Sequence, residues 1–260
     1  MKANEVSQRL LDLFKTPEDL QDTIATVFIK SQDTPCFEWS WRNQMLTALA
    51  RTSDARGYRQ WKEVGRQVKK GSKAFHILVP CISKDKETGE VESTFFKTAP
   101  VFRIEDTDGE ELPGAEDRKR ILNSLPLTEV ATSWGLEFVF FNGGNRQGFF
   151  SAGRKEIGLG VENPETFFHE LIHAADSKLG NLKEKGQHWR SETVAEFGAA
   201  VLAKCLDVEV EINLKKTFDY IQSYSKEAGK SVNSVCMECL ERICESVDLV
   251  LKTAEEIKES

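Results

Sequence analysis

The chain has 260 residues, of which 40% are hydrophobic and 30% charged, and its formal net charge is -7. This length is sufficient for two domains, each with its own core. No apolar run reaches the roughly 18 to 20 residues that span a bilayer, so we expect no membrane partner. The negative charge excludes a uniformly basic nucleic-acid-binding protein but permits a local basic surface.

The N-terminal segment and the cysteines are typical of a cytoplasmic protein. Residues 1–6 lack the apolar core and cleavage site of a secretory signal. Cys236, Cys239 and Cys244 have a spacing that is also found in metal and redox sites. However, the segment 232–252 has apolar residues at helical spacing, and no second cysteine pair or histidine lies near it in sequence. We therefore predict reduced core cysteines on one helix, with a metal or redox site as the alternative.

Three helices are predicted at the start of the chain. The first has apolar residues at helical spacing up to Phe14. Thr16 is a suitable cap for the second helix, and Pro17 suits its first position. The third helix is expected to follow Ser40.

A β-hairpin and an acidic linker are predicted next. The segments 75–79 and 95–104 are β-type runs separated by a polar, glycine-containing connection, which is typical of a hairpin. The acidic stretch that follows contains Gly and Pro, and it predicts an exposed linker at about 105–117. We therefore expect an N-terminal domain over 1–108 and a C-terminal domain over 118–260.

The second half of the chain combines strands and helices. Strands are predicted at 136–141, 148–151 and 155–159, and three helical segments follow. Strands followed by helices within one unit favour the α+β class. The predicted fold is thus α+β with two domains.

The sequence His-Glu-Leu-Ile-His occupies residues 169–173 of a predicted helix that Asn163 caps. His169 and His173 are one turn apart, so both imidazoles project from one face and can bind a single metal ion. Glu170 lies between them in sequence and suits the role of a general base that takes a proton from water. The alternative is that one histidine is only a helix-surface residue.

A third ligand is predicted on the following helix. Glu192 lies 19 residues beyond His173, and a site of two histidines and one glutamate requires such a residue. Glu196 is one turn further and is expected to orient a ligand histidine without binding the metal itself. The two roles could be exchanged, or both residues could form an exposed acidic face. His188 is either a transition-state donor or a surface residue.

A basic segment in the N-terminal half interleaves with aromatic residues. Residues 51–73 contain eight basic and two acidic side chains, a net charge of +6. Single-stranded nucleic acid requires cations for its phosphates and aromatic rings for its unstacked bases. The alternative is a solvated basic face with core tryptophans. The aromatic residues concerned are Trp39, Trp41, Tyr58 and Trp61.

Several segments in the same order resemble the ArdC-type antirestriction proteins. The first group resembles the N-terminal domain of that family and the segment that leaves it, and the second group resembles its zincin-like metallopeptidase domain. The first group is 41–44, 57–61, 64–71 and 101–109, and the second is 168–174 and 192–200. The chain departs from the family pattern at 105–106 and 174–175.

The resemblance implies a protein of plasmids, phages or other mobile elements that shields incoming DNA from host restriction. It implies an N-terminal domain that binds single-stranded DNA, and a C-terminal peptidase domain with one Zn²⁺ or another divalent ion. By match, the metal ligands are His169, His173 and Glu192, and Glu170 is catalytic. The DNA-facing residues implied are Trp61, Arg66, Lys69, Lys70 and Lys73.

Three hypotheses follow. The first is an antirestriction-type protein that binds single-stranded DNA and carries a zinc peptidase site, resembling a gluzincin, for an unidentified protein or peptide substrate. The second is a DNA-shielding protein whose zinc is purely structural. The third is a regulatory metallopeptidase whose N-terminal domain binds protein. The presence of Glu170 favours the enzyme hypotheses, because a structural site has no use for that carboxylate.

Overall fold

The computed structural model describes most of the chain and divides it into two compact units. The N-terminal unit comprises Met1–Leu13 and Lys30–Asp117, and the C-terminal unit comprises Phe14–Ile29 and Arg118–Ser260. The described residues are 2–30, 33–84, 91–110, 112, 127–141, 147–161, 163–182, 188–210, 217–227 and 229–260.

Helices and strands occur in both units, so the predicted mixture of the two is confirmed. The elements up to the end of the N-terminal unit are α1 (Ala3–Leu13), α2 (Pro17–Ile29), a 3₁₀ helix (Pro35–Glu38), α3 (Trp41–Leu49), β1 (Ala55–Arg56), α4 (Tyr58–Glu63), β2 (Arg66–Val68), β3 (Phe75–Lys84), β4 (Val91–Arg103), a 3₁₀ helix (Ile104–Asp106) and β5 (Thr107–Gly109). The later elements are α5 (Leu127–Ser133), β6 (Glu137–Phe140), β7 (Gly148–Ser151), β8 (Glu156–Leu159), α6 (Pro164–Lys178), α7 (Trp189–Cys205), α8 (Thr217–Glu227) and α9 (Val232–Glu259).

The N-terminal unit is built on the β3–β4 hairpin. The two strands pair antiparallel, and β1 pairs with the other side of β4, which gives the strand order β1-β4-β3. Helices α1 and α3 pack on β3. Ala55, Ile77 and Val101 form a buried apolar cluster on this sheet. The predicted hairpin is confirmed, and its connection, 85–90, lies outside the described residues.

The first part of the predicted linker is ordered structure. Residues 104–106 form a 3₁₀ helix, and β5 pairs antiparallel with β2. Thr107 is buried, and its hydroxyl donates a hydrogen bond to the carbonyl of Ile104 at 2.7 Å. Arg103 forms an ion pair with Asp106 at 2.8 Å. Residues 105–109 are thus ordered by these local bonds and by the pairing with β2, although Glu105, Asp108 and Gly109 are exposed. Residues 111 and 113–117 lie outside the described residues, and the linker as a domain boundary stays a prediction.

The C-terminal unit contains a sheet with the order β6-β8-β7, in which β6 is parallel and β7 antiparallel to β8. Helix α6 packs against β7, β8, α7 and α9. A close approach of α6 and α7 occurs at Gly198, where an added Cβ would lie 2.8 Å from a methyl carbon of Ile172. Gly198 thus allows the two helices that carry the predicted metal ligands to pack tightly.

Helix α2 belongs to the C-terminal unit, although it lies near the start of the chain. It packs on α7, with Leu20 and Ile24 fully buried. The side-chain amide of Gln21 donates a hydrogen bond to the carbonyl of Ala200 at 3.0 Å. The compact units therefore differ from the predicted domains in the assignment of Phe14–Ile29. The division into functional domains at 1–108 and 118–260 stays a prediction.

The cysteine-containing segment near the C-terminus is helical, as predicted. Cys236, Cys239 and Cys244 are free and buried on α9. Burial raises the pKa of Cys236 and of Cys239 to about 12. These properties are those of core thiols. Among the described residues, no helix combines the length and apolarity needed to cross a membrane.

Candidate metal centre and nucleic-acid interface

Helix α6 places the two histidines of the His-Glu-Leu-Ile-His sequence together. The helix begins where the side-chain oxygen of Asn163 accepts a hydrogen bond from the backbone N–H of Thr166 at 2.9 Å, which is the predicted cap. His169 and His173 lie one turn apart, and their ring centroids are separated by 4.8 Å. Both imidazole rings can therefore bind the same metal ion.

Helix α7 brings Glu192 to these imidazoles. Nε2 of His169 lies 3.4 Å from one carboxylate oxygen of Glu192, and Nε2 of His173 lies 3.7 Å from the other. Tetrahedral zinc with nitrogen and oxygen ligands at 2.0–2.2 Å requires ligand atoms about 3.4 Å apart. The three side chains offer ligand atoms that all lie within 4.8 Å of one another. Their chemistry and spacing fit a divalent metal ion.

The neighbouring candidates take other positions. In the described part of the chain, the group with metal-ligand geometry contains Glu192 and not Glu196. The carboxylate of Glu196 acts on His169 through its charge, which contributes to raising the pKa of that histidine. His188 caps α7: its Nδ1 accepts a hydrogen bond from the backbone N–H of Arg190 at 3.4 Å. This capping contact gives His188 a structural role.

The pKa values of the two histidines are shifted in opposite directions from the ordinary value. Burial alone would lower the pKa of His169, but a hydrogen bond with Glu192 and the nearby carboxylates raise it above its ordinary value. Burial and the neighbouring His169 lower the pKa of His173 to about 4. The hydrogen bond with His169 lowers the pKa of Glu192. Metal ligation requires deprotonated ligand atoms, so metal binding at this group would be coupled to proton release.

Glu170 is held against the sheet beside the metal-ligand group. The residue is 6% exposed, and α6 packs on β7 at this point. An added Cβ on Gly148, the first residue of β7, would lie 2.9 Å from a carboxylate oxygen of Glu170 and 2.5 Å from the methyl carbon of Thr166. The absence of a side chain at Gly148 thus leaves the space that this carboxylate occupies. No pattern in the sequence indicates a role for Gly148, because its importance arises only from this contact.

Not all of the predicted DNA-facing residues lie on the surface of the N-terminal unit. Trp61 is completely buried, and its Nε1 donates a hydrogen bond to the carbonyl of Phe102 at 3.0 Å. The guanidinium of Arg56 lies over the indole, 5.2 Å from the ring centroid. The prediction that Trp61 faces DNA is therefore wrong, because its ring has no exposed face on which a base could stack.

The predicted cations differ in their surroundings. Arg66 bonds to Thr107, with Nε 2.8 Å from the hydroxyl, and so links β2 to β5. Lys69 donates to the carbonyl of Glu105 at 3.1 Å and lies 3.4 Å from a carboxylate oxygen of Asp108. Lys70 and Lys73 are exposed. The last two are thus the more available phosphate-binding groups among the predicted cations.

Tyr58 is the exposed aromatic residue of the basic segment that the predicted site omitted. Its exposed fraction is 46%, compared with 0% for Trp61 on the same helix. Tyr58 and Trp61 both lie among basic residues in the sequence, but composition does not indicate which of the two rings is buried in the core. The orientation of α4 against β4 decides this, and it is not visible in the sequence.

Comparisons with known proteins find similarity in sequence over part of the chain and in fold over most of it. Residues 39–104 match the family model of the N-terminal domain of anti-restriction factor ArdC. The chain is ArdC-like. Its structure is similar to the metal-free crystal structure of the antirestriction protein ArdC from plasmid R388, with a TM-score of 0.57 and 17% sequence identity over 92% of this chain and 98% of that chain.

A second crystal structure of that protein, with Mn(II) bound, is similar with a TM-score of 0.54 and 17% identity over 83% of this chain and 85% of that chain. No curated protein sequence matches the chain. At this identity the likeness shows a common fold. The match at 39–104 includes the basic segment, Tyr58 and the hairpin, so the ArdC-like part of the sequence is the part that carries the candidate nucleic-acid interface.

Proposed function

We propose that this ArdC-like chain is an antirestriction-type protein of a mobile element that binds single-stranded DNA and carries a zinc-dependent peptidase site. The observation that carries the proposal is the convergence of His169, His173 and Glu192 beside the buried Glu170. The Mn(II)-bound form of plasmid R388 ArdC supports a divalent metal here. We further propose a zincin-like C-terminal domain and assign DNA binding to the N-terminal unit.

The proposed chemistry at the C-terminal site is peptide hydrolysis. When bound, a zinc or similar ion would polarise a carbonyl group and make a water molecule more acidic. His169, His173 and Glu192 would hold that ion, because two imidazoles and one carboxylate are the ligand set of a known class of catalytic zinc sites. Glu170 would accept the proton from water and return it to the leaving amine. Its buried position against Gly148 fixes the direction of its carboxylate.

The proposed DNA binding depends on the exposed cations of the N-terminal unit. Lys70 and Lys73 are exposed within a segment of net charge +6, although the whole chain carries -7. Backbone phosphates bind such cations without regard to base sequence. Affinity should therefore be nearly independent of sequence and should weaken strongly with salt.

Transfer of a plasmid into a restricting host tests both activities in one experiment. Three versions are compared: wild type, Glu170→Gln, and Lys70→Gln with Lys73→Gln. The control is Lys155→Gln with Lys226→Gln, which makes the same charge change at exposed lysines of the C-terminal unit. We expect the Lys70/Lys73 variant to lose protection, and wild type, Glu170→Gln and the control to retain it.

The same experiment separates the alternatives. Loss of protection in Glu170→Gln, with metal content and DNA binding intact, would make proteolysis the essential activity. A metal-loaded wild type that hydrolyses no peptide library, together with protection that depends on Lys70 and Lys73, would favour a purely structural zinc site. If the folded wild-type protein binds no single-stranded DNA at low salt, the regulatory metallopeptidase with a protein-binding N-terminal unit replaces our proposal.

A further inference from the structure

We propose that Tyr58 forms one wall of a pocket that takes a single unstacked nucleotide of the DNA strand. This inference rests on the proposed single-stranded DNA binding and adds to it a defined base-stacking residue. The pocket lies wholly within the N-terminal unit, and all of its lining residues except Asp108 lie within the ArdC-like match. Tyr58 replaces the buried Trp61 as the aromatic component of the interface.

The size and lining of the pocket suit a nucleotide. Its volume is about 550 Å³, which is within the range of roughly 300 to 1,000 Å³ for small-molecule sites. Tyr58 and Phe102 line it with aromatic carbon, and Lys69, Lys70 and Ser72 supply cations and a hydroxyl. A base needs an aromatic surface and its phosphate needs a cation, and the pocket presents both at once.

The ring of Tyr58 is held in place but remains accessible. It makes an edge-to-face contact with Phe102, with ring centroids 6.3 Å apart at an interplanar angle of 69°. The ammonium of Lys62 lies 5.1 Å from its centroid. Because 46% of the residue is still exposed, a base can stack on the ring without displacing the core. The contact with Phe102 reduces the conformational entropy that Tyr58 would lose on binding.

The charges of the pocket place the phosphate near Lys70. Lys69 is already engaged with Asp108, at 3.4 Å, and that carboxylate also lines the pocket. A phosphate is repelled by Asp108 and attracted by the exposed Lys70, so the sugar-phosphate lies toward Lys70 and the base toward Tyr58. The lining therefore offers an aromatic ring for the base and an exposed cation for the phosphate of one nucleotide.

The test measures binding of a 5′-fluorescein-labelled oligothymidylate of 20 nucleotides to the full chain by anisotropy, at several salt concentrations. Tyr58→Ala should weaken binding by about 5- to 150-fold, because stacking on an aromatic ring is lost, and should leave the salt dependence unchanged. Tyr58→Phe should bind like wild type. Phe96→Ala is the matched control: Phe96 is 45% exposed in the same unit, does not line the pocket, and should have no effect.

A second measurement does not depend on the folding of a variant. Oligonucleotides containing 5-iododeoxyuridine should form a photo-crosslink with Tyr58 of the wild-type protein, located by mass spectrometry of the peptides. Normal affinity of Tyr58→Ala, or crosslinks confined to other residues, would overturn the pocket. Absence of any binding by folded wild type would instead overturn single-stranded DNA binding itself, so the two failures are distinguishable.

Discussion

Asp176 on α6 and Arg242 on α9 form a buried ion pair within the C-terminal unit. Nε of Arg242 lies 3.1 Å from one carboxylate oxygen of Asp176, a second contact reaches the other oxygen, and Asp176 is 1% exposed. Asp176 follows His173 by less than one turn. The pair thus ties the end of the histidine-bearing helix to α9, and the charge of Arg242 contributes to the lowered pKa of His173.

Breaking this pair should destabilise the fold. Arg242→Ala leaves a buried carboxylate without its counter-ion, so we expect the free energy of unfolding to fall by about 3–5 kcal/mol. Urea unfolding monitored by circular dichroism measures this change in the free energy of unfolding. The double variant Asp176→Leu with Arg242→Met is the control and should recover most of the loss, because no charge remains buried. A loss below about 1 kcal/mol in Arg242→Ala would contradict the structural importance of the pair.

Metal content distinguishes the roles of the two glutamates on α7. Replacing His169, His173 or Glu192 by Ala should abolish stoichiometric metal binding, because each removes one of the three ligands. Glu196→Gln should retain the metal with an affinity about 10- to 100-fold weaker, as expected for a carboxylate that acts through a ligand. Elemental analysis and competition with a chelator measure both effects. If Glu192→Ala binds metal and Glu196→Gln does not, the two roles are exchanged.

Gly148 should be required for hydrolysis but not for metal binding. In Gly148→Ala, the new Cβ would meet Thr166 and the carboxylate of Glu170, so Glu170 must move. Any peptidase activity should fall toward that of Glu170→Gln, for which we expect a loss of about 10²- to 10⁴-fold. Initial rates with a peptide substrate and zinc content are measured together. Unchanged activity in Gly148→Ala would show that the position of Glu170 is not restricted by β7.

Thiol reactivity tests the structural assignment of the cysteines on α9. With the pKa of Cys236 and Cys239 raised to about 12 by burial, few thiolates exist at pH 8, and iodoacetamide should modify these residues only after unfolding. Cys81, which is partly exposed, should react first. Mass spectrometry of the alkylated peptides gives the order. If Cys239 were labelled rapidly in the native protein and added zinc prevented this labelling, the alternative of a metal site at these cysteines would be favoured.

Features with a local cause were predictable from the sequence. The cap at Asn163, the hairpin β3–β4 and the juxtaposition of His169 and His173 all follow from residues close in sequence. By contrast, the burial of Trp61 and the exposure of Tyr58 depend on how α4 meets the sheet. The pairing of β5 with β2 gave order to an acidic stretch that composition alone assigns to a linker. These features are decided by tertiary contacts, which no local pattern contains.

The chain passes from one compact unit to the other at residues 13–14, 29–30 and 117–118. A single proteolytic cut between 113 and 126 would therefore not yield two independent halves. The N-terminal fragment would still contain α2, whose Leu20 and Ile24 are buried within the C-terminal unit. The nicked protein should stay associated and co-elute in gel filtration, and the fragments should separate only in denaturant. A C-terminal fragment beginning at residue 118 would lack α2 and expose the apolar surface of α7.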